Sequence, residues 1–292
     1  MTASLGIALA FVAMLAWGFG DFLIQKSTRK VGDWETLFLI TLFGVIVLLP
    51  FAGPRLSSLL ALGGRDLIIM GIACAVLFMA ALLDFEALRR GKLAVVEPIW
   101  SFEVPVAAIL AFTLIGERIS MTQIVLIVTL IICLVLIGLK QKTLEASFFL
   151  EKGVVVAIFG AIFMGAANFF MGWGGRVSDP VMINFVSDAF IAILCAIYLV
   201  GHGKLRRTFA DLKGNLAVIL PMSILDKIAW LAFVFSMSIV SIAVTTAISE
   251  SYVIIAVLLG LMVNREKLNP HQKVGLVGAI ITAVILAAVT AG

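Results

Sequence analysis

The chain has 292 residues, of which 63% are hydrophobic and 13% charged, with a mean hydropathy of +1.20 and a formal net charge of +4. A water-soluble domain carries about 25% charged residues, so water is not the main solvent of this chain, and its closely spaced apolar runs leave no room for a soluble domain. The excess of Lys and Arg lies in short connections between those runs, which assigns it to membrane topology and excludes nucleic acid as a partner.

Crossing the hydrocarbon core takes about 20 apolar helical residues. Runs of that kind predict spans at 4–24, 35–52, 66–88, 93–115, 121–139, 153–173, 180–200, 215–238, 242–262 and 271–290. The first run has no basic segment before it and is longer than a signal-peptide core, so it reads as a spanning helix. Turn formers and charges mark the breaks: Lys26 to Asp33, Gly53 to Arg55, Gly63 to Arg65, Arg89 to Lys92, Gly116 to Arg118, Lys140 to Lys152, Gly174 to Pro180, Gly201 to Gly214 and Asn264 to Pro270. The break around Ser236 to Ser241 alone has no charge, so the eighth and ninth spans are closely linked. Cys74, Cys133 and Cys195 lie inside apolar runs and read as packing residues.

The expected fold class is therefore an all-α membrane protein of ten transmembrane helices, located in the cell membrane, and the chain also repeats itself. A slide of 149 residues lays Leu93-Ala94-Val95 on Ile242-Ala243-Val244, Glu117-Arg118-Ile119 on Glu266-Lys267-Leu268, and Gln123 on Gln272. A slide of 147 lays Trp17-Gly18 on Met164-Gly165 and Asp21-Phe22 on Asn168-Phe169. Residues 1–143 and 150–292 are thus expected to be two copies of a five-helix unit. Five is odd, so the second copy enters the membrane from the opposite side, an inverted repeat that suits alternating access. Sixteen Lys and Arg fall on the face of the odd-numbered connections, and only Arg55, Arg65, Arg118 and Arg176 on the other. By the positive-inside rule the basic face is cytoplasmic and both termini are outside.

Two five-helix halves, with Trp17-Gly18 or Met164-Gly165 in the first helix and Gly116-Glu117-Arg118-Ile119 or Arg265-Glu266-Lys267-Leu268 after the fourth, resemble the EamA-type drug/metabolite transporter superfamily. The resemblance covers nearly the whole chain. It implies a ten-helix secondary transporter, often an exporter, whose substrates range over amino acids, metabolites and cationic drugs. It also implies cytoplasmic termini, against the charge count, and fewer intramembrane acids than this sequence holds.

An ionisable side chain near the bilayer centre costs about 2.5–3.5 kcal/mol on insertion scales, so such residues usually face a cavity. Glu103, Asp188, Asp226, Lys227 and Glu250 fall near mid-span, with Asp21, Asp84, Glu86 and Glu97 nearer the basic face. Glu86 has Arg89 and Arg90 three and four residues on, which reads as an ion pair at a helix end. Asp21 follows Trp17 by one turn and meets Asn168 in the repeat, so both are expected to line a central cavity; the plain alternative for Asp21 is a solvated helix end. Glu97 and Ser101 share a face of the fourth span beside Pro98, and Pro105 follows, so the helix is expected to loosen there and offer backbone groups to a ligand.

In the repeat Ser101 matches Glu250 and Glu103 matches Tyr252, which places a carboxylate from each half at similar depth. Glu103 and Glu250 are the expected centre of the site; the plain alternative is that each only hydrogen-bonds a neighbouring helix. Asp226 and Lys227 point about 100° apart on one helix, so Lys227 is free to neutralise Glu103, Asp84 or Asp188 instead. Trp17, Trp100, Trp173, Trp230 and Tyr252 are candidates for cation–π contact, or simply for packing. Even with Lys227 paired, seven acids remain and cannot all be ionised in a low-dielectric bundle, so some are expected to carry protons.

The expected function is proton-coupled antiport of a small metabolite or cation by alternating access, with protons, a small solute and the bilayer as partners and a monomer or homodimer as the assembly. No cofactor or metal is expected and the chain is not read as an enzyme. Gly18-Phe19-Gly20-Asp21 matches the Gly-x-Gly-Asp of intramembrane aspartyl proteases, but Asp21 lies on the first helix, with no earlier helix to supply a second Asp. A channel also fits a polar core, although inverted repeats favour carriers.

Overall fold

In the computed structural model, which describes residues 2–90, 99–138, 152–255, 258 and 268–292, the described residues are helical with no strands. The helices are α1 (Ala3–Lys30), α2 (Asp33–Ala52), a short α3 (Leu56–Leu60), α4 (Gly64–Arg90), α5 (Glu103–Ile115), α6 (Met121–Gly138), α7 (Lys152–Val177), α8 (Pro180–Gly201), α9 (Leu205–Gly214), α10 (Leu216–Met237), α11 (Ile242–Ser249) and α12 (Pro270–Ala291). Seven are long and apolar enough to cross a membrane, and three shorter apolar helices lie on the expected fourth, fifth and ninth spans. The chain is a multi-pass integral membrane protein.

Several expected breaks are helical. α1 and α4 run on through Lys30 and Arg90, and the break from Gly201 to Gly214 contains α9. The physical reason is that Lys, Arg and Gln favour helix once their charged ends reach the headgroup region, so charge marks the end of the hydrocarbon rather than the end of the helix. Helix α9 turns Thr208 inward and leaves Arg206, Arg207 and Lys213 exposed.

Lipid supplies no drive for apolar helices to associate, so close backbone approach and polar contacts decide the packing. α4 packs on α7 as α1 packs on α10, α5 also packs on α7, α11 also packs on α1, and α2 with α8 and α6 with α12 form pairs of their own. The close approaches recur likewise. A Cβ on Gly18 would lie 2.7 Å from Cβ of Ile255, and one on Gly165 would lie 2.6 Å from Cβ of Val106 and 2.7 Å from the Glu103 carbonyl oxygen. Gln123 closes a capping box with Ser120 and donates to Thr290 of α12, 3.0 Å, while Gln272 closes one with Asn269 and donates to the Ile137 carbonyl of α6, 2.8 Å.

The connections sort onto two faces. On the basic face Arg89 pairs with Asp33 at 2.8 Å, Lys204 pairs with Glu35 at 3.3 Å, and Gln25 donates to the Leu88 carbonyl at 3.2 Å. Glu86 pairs with Arg89 and Arg90, as expected. On the opposite face Arg176 meets Glu117 at 2.7 Å and Arg55 reaches Asp179 at 3.8 Å.

Gly165→Ala is expected to push α5 away from α7 at a cost of about 1–3 kcal/mol, the range for overpacking a tight contact. Gly71→Ala, where an added Cβ meets nothing within 4 Å, is expected to leave stability unchanged or raise it slightly. Thermal unfolding of both variants in detergent reads the contrast.

Candidate functional site

One cavity is lined by α1, α2, α4, α5, α7, α8, α10 and the segment after α11, and by nothing from α6 or α12. Asp21, Asp84, Trp100, Glu103, Asn168, Asp188, Asp226, Lys227, Glu250 and Tyr252 all face it. Glu97 lies outside the described residues. Six carboxylates therefore share the space with a single ammonium among the described lining residues.

The two central carboxylates sit where helices are interrupted. Residues 101–102 form a turn between residues 99–100 and α5, so Glu103 is the first residue of α5, and Glu250 opens a 3-10 turn, Glu250–Tyr252, that follows α11. The expected loosening of the fourth span falls at this turn, ahead of Pro105. The second interruption has no proline. Glu103 is 4% exposed and Glu250 3%. The Glu103 Oε2 accepts a hydrogen bond from Asn168 Nδ2 at 2.7 Å, which ties α5 to α7 inside the cavity. Glu250, Asp84 and Asp21 are near enough for their charges to act on Glu103.

A second cluster lies between α8 and α10. Lys227 Nζ stands 2.5 Å from Asp188 Oδ2, so of the three acids that Lys227 could neutralise the structure selects Asp188. Asp226 is next along α10 and, like Trp230 one turn on, lines the cavity. All three charges are buried, with Lys227 4% exposed.

Aromatic side chains divide by position. Trp17, Trp100, Trp230 and Tyr252 line the cavity, and Trp17 meets Trp230 edge-on at 5.3 Å. Trp173 does not line it. It lies 5.6 Å beneath the Arg65 guanidinium and stacks with Phe170, so its cation–π contact is internal to the protein. Reading charges alone missed Thr41, Asn184 and Ser187, which also face the cavity. Asn184, Ser187, Asp188 and Ile191 recur at i, i+3, i+4 and i+7 along α8, and that helical spacing was the available signal. No group of His, Cys, Asp and Glu suited to holding a metal occurs among the described residues.

A family model described as the EamA-like transporter family matches residues 4–139 and again 151–288. No curated protein matches. Twenty-eight chains of solved structures do. One of them, described only as the crystal structure of a protein, aligns with a TM-score of 0.72 over 97% of this chain and 95% of its own at 17% identity, which is a likeness of fold.

Removing the ammonium while keeping the side-chain volume, as in Lys227→Met, leaves Asp188 buried without its partner. A loss of roughly 3–5 kcal/mol is expected, the range for breaking a buried ion pair on one side. The double variant Lys227→Met/Asp188→Asn is expected to recover most of it, because the amide carries no charge. Thermal unfolding of the two variants beside the parent protein checks this.

Proposed function

The chain belongs to the EamA-like transporter family, and from that premise we propose that it exports a small cationic solute from the cell in exchange for protons, by alternating access. The observation that carries this reading is the charge inventory of the cavity: among the described residues, six carboxylates against one ammonium face one space. Several buried carboxylates cannot share a low-dielectric space fully ionised. They hold protons or they hold cations, and a group that does each in turn exchanges one for the other.

Glu103 and Glu250 are the proposed exchange pair. Each stands at an interruption of its helix, where backbone groups left without helical partners can take part in binding a solute. Asn168 holds Glu103 in place by a donated hydrogen bond at 2.7 Å, so that its carboxylate is presented to the cavity. Trp17, Trp100 and Tyr252 offer π faces to an ammonium.

Alternating access is supported by the way the two halves correspond. Exchanging residues 1–143 for 150–292 carries the α4–α7 packing onto α10–α1 and the Gly165–Val106 approach onto Gly18–Ile255. Reciprocal contacts of this kind are what a five-helix unit and its inverted copy would make, and they supply two related packings, one open to each face. The accumulation of Lys and Arg on the face of Lys26, Arg89 and Lys204 supports a cytoplasmic position for that face.

The test is purified protein in liposomes loaded with a pH-sensitive dye, challenged with gradients of amino acids, polyamines and quaternary amines. Coupled proton movement is expected with cationic members of the panel, and its loss is expected in Glu103→Gln and Glu250→Gln although both variants fold. Proton coupling that survives in both variants overturns the exchange pair. Silence across the panel with folded protein overturns the cationic solute.

A further inference from the structure

The Gly116-Glu117-Arg118-Ile119 sequence after α5 has no part in the cavity, yet Glu117 is among the most connected side chains in the protein. Gly116 has φ +67 and caps α5 in the left-handed conformation that glycine favours, and the Glu117 amide donates to the Ala111 carbonyl at 3.0 Å. The chain therefore turns back over the end of α5 and delivers the Glu117 carboxylate to two other elements. Its Oε1 accepts from the Ile242 amide at 2.6 Å, the first residue of α11, where a free helical N–H and the helix dipole both favour an anion. Its Oε2 accepts from Arg176 Nη1 at 2.7 Å.

Arg176, in the last turn of α7, uses the rest of its guanidinium on backbone. Nε donates to the Met237 carbonyl at 2.7 Å and Nη2 to the Val240 carbonyl at 3.0 Å, so one side chain holds the α10–α11 connection while a third nitrogen holds Glu117. Lysine has no fork of this shape. The packing beneath is equally close. A Cβ on Gly172 would lie 2.8 Å from Met237 Sδ and 3.0 Å from Ile242 Cδ1, and one on Gly175 would lie 2.5 Å from Val234 Cγ1. On this face α7 touches α10 and α11 with no room for even a methyl group.

The elements joined here are those that bear the central site. α5 begins at Glu103, α7 carries Asn168 two turns before Arg176, and α11 begins at Ile242 two turns before Glu250. We propose that Glu117 and Arg176 are positioning residues that form a latch sealing the cavity on the face opposite the basic one, and that the latch opens when the carrier turns toward that face. Arg176 then leaves the Met237 and Val240 carbonyls and Glu117 leaves the α11 N-terminus, freeing α11 to move relative to α5 and α7. The proposal rests on the carrier reading, but it concerns which face is closed and is tested without a solute.

The probe is a membrane-impermeant maleimide acting on Met171→Cys, a buried position that lines the cavity between Asn168 and Arg176, in a chain with Cys74, Cys133 and Cys195 replaced by Ala. The reagent is applied to each face in turn in oriented vesicles. Glu117→Gln, which keeps an acceptor for the Ile242 amide but loses the charge, is expected to speed labelling from the latch face about tenfold, the size of a typical conformational coupling. Labelling from the basic face is expected to slow or stay the same. Arg176→Lys, which keeps the charge and loses the fork, is expected to fall between the two. Unchanged labelling from the latch face in a variant with unchanged thermal unfolding overturns the latch. So does an equal rise from both faces, which reports general loosening, or failure of both variants to fold, which makes the pair a part of the scaffold. Failure of proton-coupled transport with the labelling result intact would instead remove the proposed solute and leave the latch standing.

Discussion

An ionised carboxylate buried in a low-dielectric interior is tolerated only with a cation, a proton or hydrogen-bond donors beside it. Among the described residues this protein places six carboxylates around one space with one ammonium, and four of them, Glu103, Asp188, Asp226 and Glu250, are buried. Lys227 answers Asp188 and Asn168 answers Glu103. The ammonium of Lys227 sits on Asp188, not on Glu103.

That arrangement explains why the helices divide into two sets. Eight segments converge on the cavity, and their close approaches at Gly18 and Gly165 bring backbone to backbone without large intervening side chains. The pair α6 and α12 stands apart, joined by Gln123 and Gln272, each of which caps its own helix and reaches across to its partner.

Electrostatics is also spread over the two faces in different forms. On the basic face, Lys and Arg are numerous and pair at helix ends, Arg89 with Asp33 and Glu86, and Lys204 with Glu35, where water and headgroups weaken each contact. On the opposite face few charges are present, but Arg176 and Glu117 each engage backbone groups as well as the other. A pair tied by several charge-assisted hydrogen bonds is more geometrically exacting than a single contact.

Some of this was legible in the sequence because it depends on composition and period alone. Apolar runs of spanning length identify a membrane protein, the 149- and 147-residue slides expose internal repetition, and the cost of intramembrane charge singled out seven residues that the folded chain brings to one cavity. Asn184 and Ser187 were overlooked because uncharged polar residues carry little cost in a helix and become conspicuous only when the face they share with Asp188 is known to be turned inward. The helix ends were misplaced because charge reports where hydrocarbon ends and not where hydrogen bonding does. Tertiary structure alone decided which acid Lys227 neutralises and what Glu117 is for: the first depends on how α8 and α10 are rotated against each other, and the second on bringing α5, α7 and α11 to one point. A sequence records the kinds of charge a chain carries. Which charges meet is set by packing over separations of dozens of residues, 39 between Asp188 and Lys227, 59 between Glu117 and Arg176 and 125 between Glu117 and Ile242, and no local pattern encodes it.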